Sequence, residues 1–433
     1  MKVLWLCNIM LPVIAKSLGQ RVVVKEGWLS GLVDKMTANR EETGCELGVC
    51  FPIQEEILSI PEQEEHFSKG SLPGIQYYAF HEDTAHPENY DEALEVSLKA
   101  ILDDFKPDVV HCFGTEYPHT LAMVRAFQNP DRLLIGIQGL CYVYADYYMA
   151  DLPYSVQHKR TFRDIIRKDS IKEQQQKFVM RGEYEKEAIC GTMHITGRTD
   201  WDRKCTQELN PNAKYHFMNE TLRLQFYLEQ WNIDYCERHS IFVSQGNYPI
   251  KGLHYVLQTL PKIKEHFPDV KVYVAGDIVT SYKTVKDKIK ISSYGRYLRQ
   301  LIHQNHLEEN VIFLGSLDAD KMCARFLQSH VFLLPSAIEN SPNSVGEAMI
   351  MGVPVISADV GGVHNLCVHK KEGLLYAPER LDDMANYIMD IFEDDKLAMA
   401  LSAAAREHAL KTHDPEVNYQ RLLEIYHEIN HSI

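Results

Sequence analysis

Along most of this chain, short apolar runs alternate with longer stretches whose apolar positions recur every three or four residues. That alternation limits the fold more than any other feature. A strand covered on both faces reads as a continuous apolar run, and the helix covering it reads as an amphipathic one. Parallel sheets flanked by helices satisfy both patterns. The first half predicts strands near 3–7, 109–112, 133–138 and 193–196, a helix running from Trp28 past Met36, and another over 91–105 that stops before Pro107. The second half repeats the pattern, with strands at 240–244, 270–275, 311–314, 331–334 and 355–357 and helices over 252–266, 293–306, 319–328 and 344–351. The expected fold class is therefore α/β, with two doubly wound domains over 1–210 and 211–414. The aperiodic stretch 205–240 joins them, and a last helix within 415–433 is expected to pack back on the first domain.

A length of 433 residues accommodates two such domains, each with its own core. The formal net charge of −15 argues against nucleic acid as a partner, since no basic excess exists to neutralise phosphates. Ten cysteines without a C-x-x-C pair read as reduced thiols, not as a zinc site or a disulfide frame. The opening "MKVLWLCNIMLPVIAKSLG" has one lysine, and Asn8 and Pro12 interrupt its apolar stretch. It reads as a buried first strand in preference to a signal peptide, and a cytoplasmic location is expected. No run approaches the ~20 apolar residues of a membrane span.

In open parallel sheets, ligands sit beyond the carboxyl ends of the strands. The residues to examine are those that follow each predicted strand: Asn8, Gly27, His111, Gln138, Arg198, Gly246, Asn247, Gly315 and the stretch "SAIENSPNSVGEAMIMGVPVISADVGG" over 336–362. This last stretch places Glu339 and Glu347 at the two ends of a small-residue loop that opens a helix. The backbone N–H groups of such a helix start can cradle a diphosphate, and a carboxylate on each side can accept from sugar hydroxyls. A second reading stands beside it: "SVGE" (344–347) has the form of a capping box, in which Ser344 and Glu347 serve the helix itself. "SQGNYPIKG" (244–252) brings Lys251 after another strand, either toward a phosphate or, as a plain turn, into solvent.

Taken together these stretches resemble the retaining nucleotide-sugar glycosyltransferases of family 4, of the polysaccharide-building type. Their GT-B architecture has two Rossmann-like domains facing a central cleft. Glu339 and Glu347 fit the family's E-x7-E motif, Lys251-Gly252 its lysine–glycine step, and "EGLLY" (372–376) its next turn. "GWLSGL" (27–32) looks like its Gly-rich loop, "KPDVVHCFG" (106–114) like its strand ending in histidine, and 197–223 like its crossover region. The resemblance implies transfer of a hexose or N-acetylhexosamine from a nucleotide-diphosphate sugar to a hydroxyl of a glycan or lipid-linked acceptor. It implies no metal and no other cofactor. Glu347 would bind the donor ribose and Glu339 the transferred sugar. The amides of Asn343, Ser344 and Val345 would hold sugar and diphosphate, and Lys251 would neutralise phosphate. Gly27, Gly246, Asn247 and Gly315 would border the donor; His111, with Glu339 and Lys251, would stand at the reacting centre; and Gln138 and Arg198 would lie on the sugar and acceptor side.

This chain departs from the family at two positions. Gly246 stands where members carry an arginine, with Arg198 and Arg296 as candidate replacements, and Gln138 stands where many have histidine. A non-catalytic sugar-nucleotide-binding protein and a sugar-nucleotide epimerase therefore remain as alternatives. A NAD-dependent dehydrogenase is disfavoured, because no G-x-G-x-x-G follows the first strand.

The segment 157–181 carries eight Lys and Arg against three acidic residues inside this acidic chain. With Phe162, Ile165, Ile166 and Phe178 as an apolar side, it is expected to meet an anionic membrane surface, which would make the protein peripheral on the inner membrane face.

Overall fold

The computed structural model of the chain describes residues 1–20, 28–54, 60–282 and 284–431. Gly27 lies outside them. The chain divides into two compact units: Met1–Val143 with Lys177–Arg223 and His413–Ile433, and Tyr144–Gln176 with Leu224–Thr412.

In the first unit the described strands form one nine-stranded sheet. Its parallel part runs, across the sheet, Ile75–His81, Glu46–Ile53, Lys2–Leu6, Val109–Phe113, Leu133–Gly136, His194–Gly197, Lys214–Phe217. Numbered along the chain this is the order 3-2-1-4-5-6-7, with an antiparallel hairpin, Glu62–Gln63 and Ser68–Leu72, added at the Ile75 edge. The order reverses between Lys2–Leu6 and Val109–Phe113, which is the topological switch point. The first strand shows why it lies at the centre. Val3 and Trp5 face one core layer with Leu29, Val33 and Tyr426, while Leu4 and Leu6 face the other with Leu98, Ile101 and Leu121. Its neighbour in the second layer, the helix Ala93–Phe105, buries Leu94, Leu98, Ile101, Leu102 and Phe105, one stripe of a 3.6-residue period, and ends at left-handed Lys106 before Pro107.

The second unit holds six parallel strands in the order Val311–Gly315, Lys271–Ala275, Glu237–Val243, Ser329–Leu334, Val355–Ala358, Leu374–Tyr376. This is again 3-2-1-4-5-6, the doubly wound order, with the switch point between Glu237–Val243 and Ser329–Leu334.

The expected strands and helices all appear, most within one or two residues of the predicted ends. The structure adds the strands Glu46–Ile53, Ile75–His81, Lys214–Phe217 and Leu374–Tyr376, which the sequence reading did not name. The stretch 205–240 is only in part a connection, since the strand Lys214–Phe217 and the helix Gln225–Leu228 lie in it. The units also divide the chain differently from the expected ranges 1–210, 211–414 and 415–433. Residues 144–176 belong with the second unit, where Ser293 N–H donates to Asp164 (3.0 Å), His254 Nε2 meets the carbonyl of Ala150 (2.8 Å) and Tyr255 hydroxyl donates to Asp151 (2.9 Å). Among the described residues, no helix is long and apolar enough to cross a membrane.

Candidate functional site

At the switch point of the second unit, the strand Glu237–Val243 leads into the 3-10 turn Pro249–Lys251, and the strand Ser329–Leu334 leads into the loop before the helix Asn343–Met351. The two loops are knitted together. Ala337 N–H donates to the Ile250 carbonyl at 2.7 Å. Gly252 has φ +69°, and a Cβ there would stand 1.9 Å from the Pro335 carbonyl oxygen, so only glycine lets the loops approach this closely.

That approach brings Lys251 and Glu339 together. Lys251 Nζ lies 2.6 Å from Glu339 Oε1, and the Ser336 hydroxyl donates to the same oxygen at 2.7 Å. Glu339 is 6% exposed. Burial pulls the Lys251 ammonium down, but the Glu339 carboxylate and the Tyr248 phenol outweigh it and hold its pKa above the ordinary lysine value. The lysine therefore stays charged at physiological pH, beside an acceptor group, at the mouth of a parallel sheet.

The helix that follows begins at Asn343 with Pro342 as its N-cap, and no side chain caps it. The capping-box reading of "SVGE" is thus overturned: Ser344 stands inside the first turn, one position past the first helical residue, and its hydroxyl is not the cap. Glu347, 8% exposed, lies one turn further in. Val345 N–H donates to the Pro342 carbonyl at 3.0 Å and so has a partner within the helix's own first turn.

Gly246 is packed so closely that a Cβ would come within 2.7 Å of Leu253 Cδ2 and 3.0 Å of Val274 Cγ1. No arginine fits there without displacing both. Asn247, beside it, keeps a buried Oδ1 without a hydrogen-bond partner among the described residues. Gly315 ends the third strand with φ +76°, two strands away from Glu237–Val243 and so about 10 Å from it.

In the first unit, His111, Gln138 and Arg198 line one small cavity of about 10 Å³, together with Thr196 and Glu220. That is room for about one water. The strand does not end at His111, as the resemblance implied, but runs on to Phe113. His111 is fully buried, with Nδ1 2.8 Å from the Tyr426 hydroxyl, and burial pulls its pKa down to about 3. Arg198 and Glu220 form a buried ion pair at 2.5 Å, and Gln138 Nε2 donates to the other Glu220 oxygen at 2.8 Å. His413 Nδ1 meets the Glu220 backbone carbonyl at 2.7 Å.

Sequence reasoning missed Glu220 and Ser336. Glu220 sits in an aperiodic stretch with nothing to mark it. Ser336 carried a usable signal, a hydroxyl three residues before Glu339 just after a strand. Of a further cluster at the first unit's switch point, the sequence marked only Asn8. His119 is fully buried, with Nδ1 2.7 Å from Glu82 and Nε2 3.0 Å from Asn8, and it stacks on Tyr117 with ring centroids 5.4 Å apart. Among the described residues, no group of His, Cys, Asp and Glu could hold a metal ion.

Residues 226–408 match the family model described as glycosyl transferases group 1. Among curated relatives, the chain is 25% identical over 178 residues to the GDP-mannose-dependent alpha-(1-6)-phosphatidylinositol monomannoside mannosyltransferase of Mycobacterium tuberculosis, covering 40% of this chain and 43% of the relative. It is also 25% identical over 218 residues to N-acetyl-alpha-D-glucosaminyl L-malate synthase of Bacillus anthracis, covering 50% of this chain and 53% of the relative. The chain thus spans about half the length of these curated relatives. Among solved structures, sucrose-phosphate synthase from Thermosynechococcus elongatus superposes with a TM-score of 0.69 over 99% of both chains at 15% identity. Anabaena Alr3699/HepE in complex with UDP-glucose gives 0.67 over 99% of this chain and 100% of that one, also at 15% identity. Likeness at that identity establishes the fold: the architecture is GT-B, with two Rossmann-like domains.

Proposed function

Proceeding from a second unit that matches glycosyl transferases group 1, we propose that the chain moves a hexose or N-acetylhexosamine from a nucleotide-diphosphate sugar to a hydroxyl of a glycan or lipid-linked acceptor. Configuration is retained and no divalent metal takes part. The observation that carries this reading is the Lys251–Glu339 pair at the switch point, beside a helix start without a side-chain cap. A diphosphate arriving there takes over Lys251 as its counter-charge, and the start of Asn343–Met351 adds its dipole. Glu339 is then released toward the hydroxyls of the transferred sugar, while Glu347 accepts from the ribose. The departing phosphate is stabilised by a fixed ammonium and backbone donors, which can offset the developing charge without a cation.

A panel of UDP-, GDP-, ADP- and dTDP-sugars tested by thermal shift identifies the donor, since a ligand at a hundred times its Kd adds about 2.7 kcal/mol. Transfer assayed after exhaustive EDTA treatment should proceed undiminished. Activity lost with EDTA and restored by magnesium or manganese would remove the metal-free part of the proposal. One observation favours a second reading, a sugar-nucleotide-binding protein without turnover: Gly246 stands where the family's arginine would, and a Cβ there would crowd Leu253 and Val274. Stabilisation by a nucleotide sugar with no product formed from any acceptor supports that reading, and donor turnover that needs no acceptor points to an epimerase.

A further inference from the structure

The second unit carries an exposed surface that is both apolar and basic. The short helix Phe162–Arg167 is amphipathic in the reverse sense: Phe162, Ile165 and Ile166, on one face at i, i+3 and i+4, are 62%, 60% and 64% exposed. Its inward side is held by Asp164, which is fully buried. Asp164 accepts from Thr161 N–H in a capping box and from Ser293 N–H at 3.0 Å. The helix packs against Val285–Lys290, whose Val285 and Ile289 are again one exposed apolar pair at i and i+4. Ile278 is also exposed nearby in the chain, and Arg299 and Lys288 each lie over the exposed ring of Tyr282.

The charges around these side chains are sorted by sign. Residues 159–172 and 284–290 hold nine Lys and Arg against three Asp. All three aspartates are engaged: Asp164 as above, Asp169 by Arg163 at 2.8 Å, and Asp287 in the capping box with Thr284. Lys159, Arg167, Lys168, Lys172, Lys286, Lys288 and Lys290 are exposed, and among the described residues they form no ion pair. The sequence had suggested a longer strip over 157–181. Its far end is tied into the first unit, where Lys177 pairs with Glu88 at 2.7 Å and Arg181 donates to the Glu116 carbonyl at 2.9 Å, so that end is not part of this surface.

We propose that the apolar face of Phe162–Arg167, together with Val285–Lys290 and their basic rim, is a docking surface for an anionic lipid bilayer. Exposed apolar side chains ringed by cations match an interface whose outer layer is anionic and whose next layer is hydrocarbon. A second copy of the chain fits poorly, because a two-fold contact would set two basic rims against each other. A nucleic acid would use the cations but not Phe162, Ile165 and Ile166. The proposal stands independently of the glycosyltransferase reading, since vesicle binding needs neither donor nor acceptor.

The test is sedimentation of the full chain with phosphatidylcholine vesicles, with and without phosphatidylglycerol, at low and high salt. Wild type should bind the phosphatidylglycerol vesicles and be released by salt, at roughly fivefold in partition per basic residue. A variant with Lys159, Arg167, Lys168 and Lys172 changed to Gln should bind at least tenfold less. A variant with Phe162→Ser, Ile165→Ser and Ile166→Ser should also lose binding, with an unchanged melting temperature. Equal binding by wild type and the serine variant overturns the proposal. So does an absence of vesicle binding, whether the chain self-associates through this face in light scattering or retains heparin binding that the serine variant shares.

Discussion

Glu339 has two partners, the Lys251 ammonium and the Ser336 hydroxyl, and replacing it changes both the fold and the proposed site. Glu339→Gln keeps the shape but leaves a largely buried ammonium facing a neutral amide, a loss of about 1.5–3 kcal/mol for a bond to a charged group. It should lower both the melting temperature and the turnover. Glu347→Gln should instead raise the donor Kd about tenfold or more, by the same bond energy, with a smaller effect on turnover at saturating donor. Calorimetric titration beside turnover at saturating donor separates the two, and unchanged donor affinity in Glu347→Gln removes its ribose role. A second residue gives a pH signature. Glu185 is buried in the first unit, accepts from the Thr115 hydroxyl (2.5 Å) and Tyr142 N–H (2.9 Å), and burial pushes its carboxyl up to about 8. Its folded pKa lies above the unfolded one, so between about 4.5 and 8 the folded state holds the proton more tightly and stability falls as pH rises, by up to about 1.4 kcal/mol per pH unit. Urea melts of Glu185→Gln across that range should show a flatter profile than wild type; parallel profiles would show that Glu185 is ionised in the fold. Lys251 and Glu339 were legible because their loops carry Gly, Pro and small polar residues at strand ends. Glu220 and Glu185 were not, because each is set by partners distant in the chain.

The helix Asn343–Met351 shows what element-level reading can and cannot decide. Its extent followed from the apolar run and from Gly352, which closes it at φ +78°. Its start did not, because the sequence pointed to Ser344 as the cap, whereas the backbone of the preceding loop starts the helix at Asn343, after Pro342. Ser344→Ala should therefore leave the melting temperature unmoved, where loss of a true serine cap costs about 0.5–2 kcal/mol. A clear drop would reinstate the capping role. The same limit explains the missed strands. Glu46–Ile53 contains Gly48 and Pro52, which read as breakers, yet it sits inside the sheet, with Gly48 packed against Phe105 and Leu4. Lys214–Phe217 is an edge strand of four residues, too short and polar to show a period. The two doubly wound sheets themselves were legible, since their inner strands are buried on both faces and their short apolar runs alternate with longer amphipathic stretches.

At the scale of the molecule, the segment His413–Ile433 belongs to the unit that holds Met1–Val143. Its helix Pro415–His431 buries Tyr419, Leu422, Leu423, Ile425, Tyr426 and Ile429 in the core that also contains Val3 and Trp5. At about 1.5–3 kcal/mol each, six such side chains contribute an amount comparable with the 5–15 kcal/mol that holds a typical domain. Truncation after Thr412 should therefore leave the first unit unfolded or aggregated while the second keeps its structure, which hydrogen exchange on the truncated chain can map. Protection of Val109–Phe113 in that chain would show the tail to be dispensable.

Synthesis on the ribosome gives this arrangement a further meaning. Arg223 and His413 are separated by 189 residues of the other unit, so the first unit's early sheet must wait about 10–40 s at 5–20 residues per second for the helix that covers one of its faces. The nascent chain passes through a period in which Val3, Trp5 and their neighbours lack their final cover while the second unit is already being completed. The unit begun first is thus the last whose chain is complete.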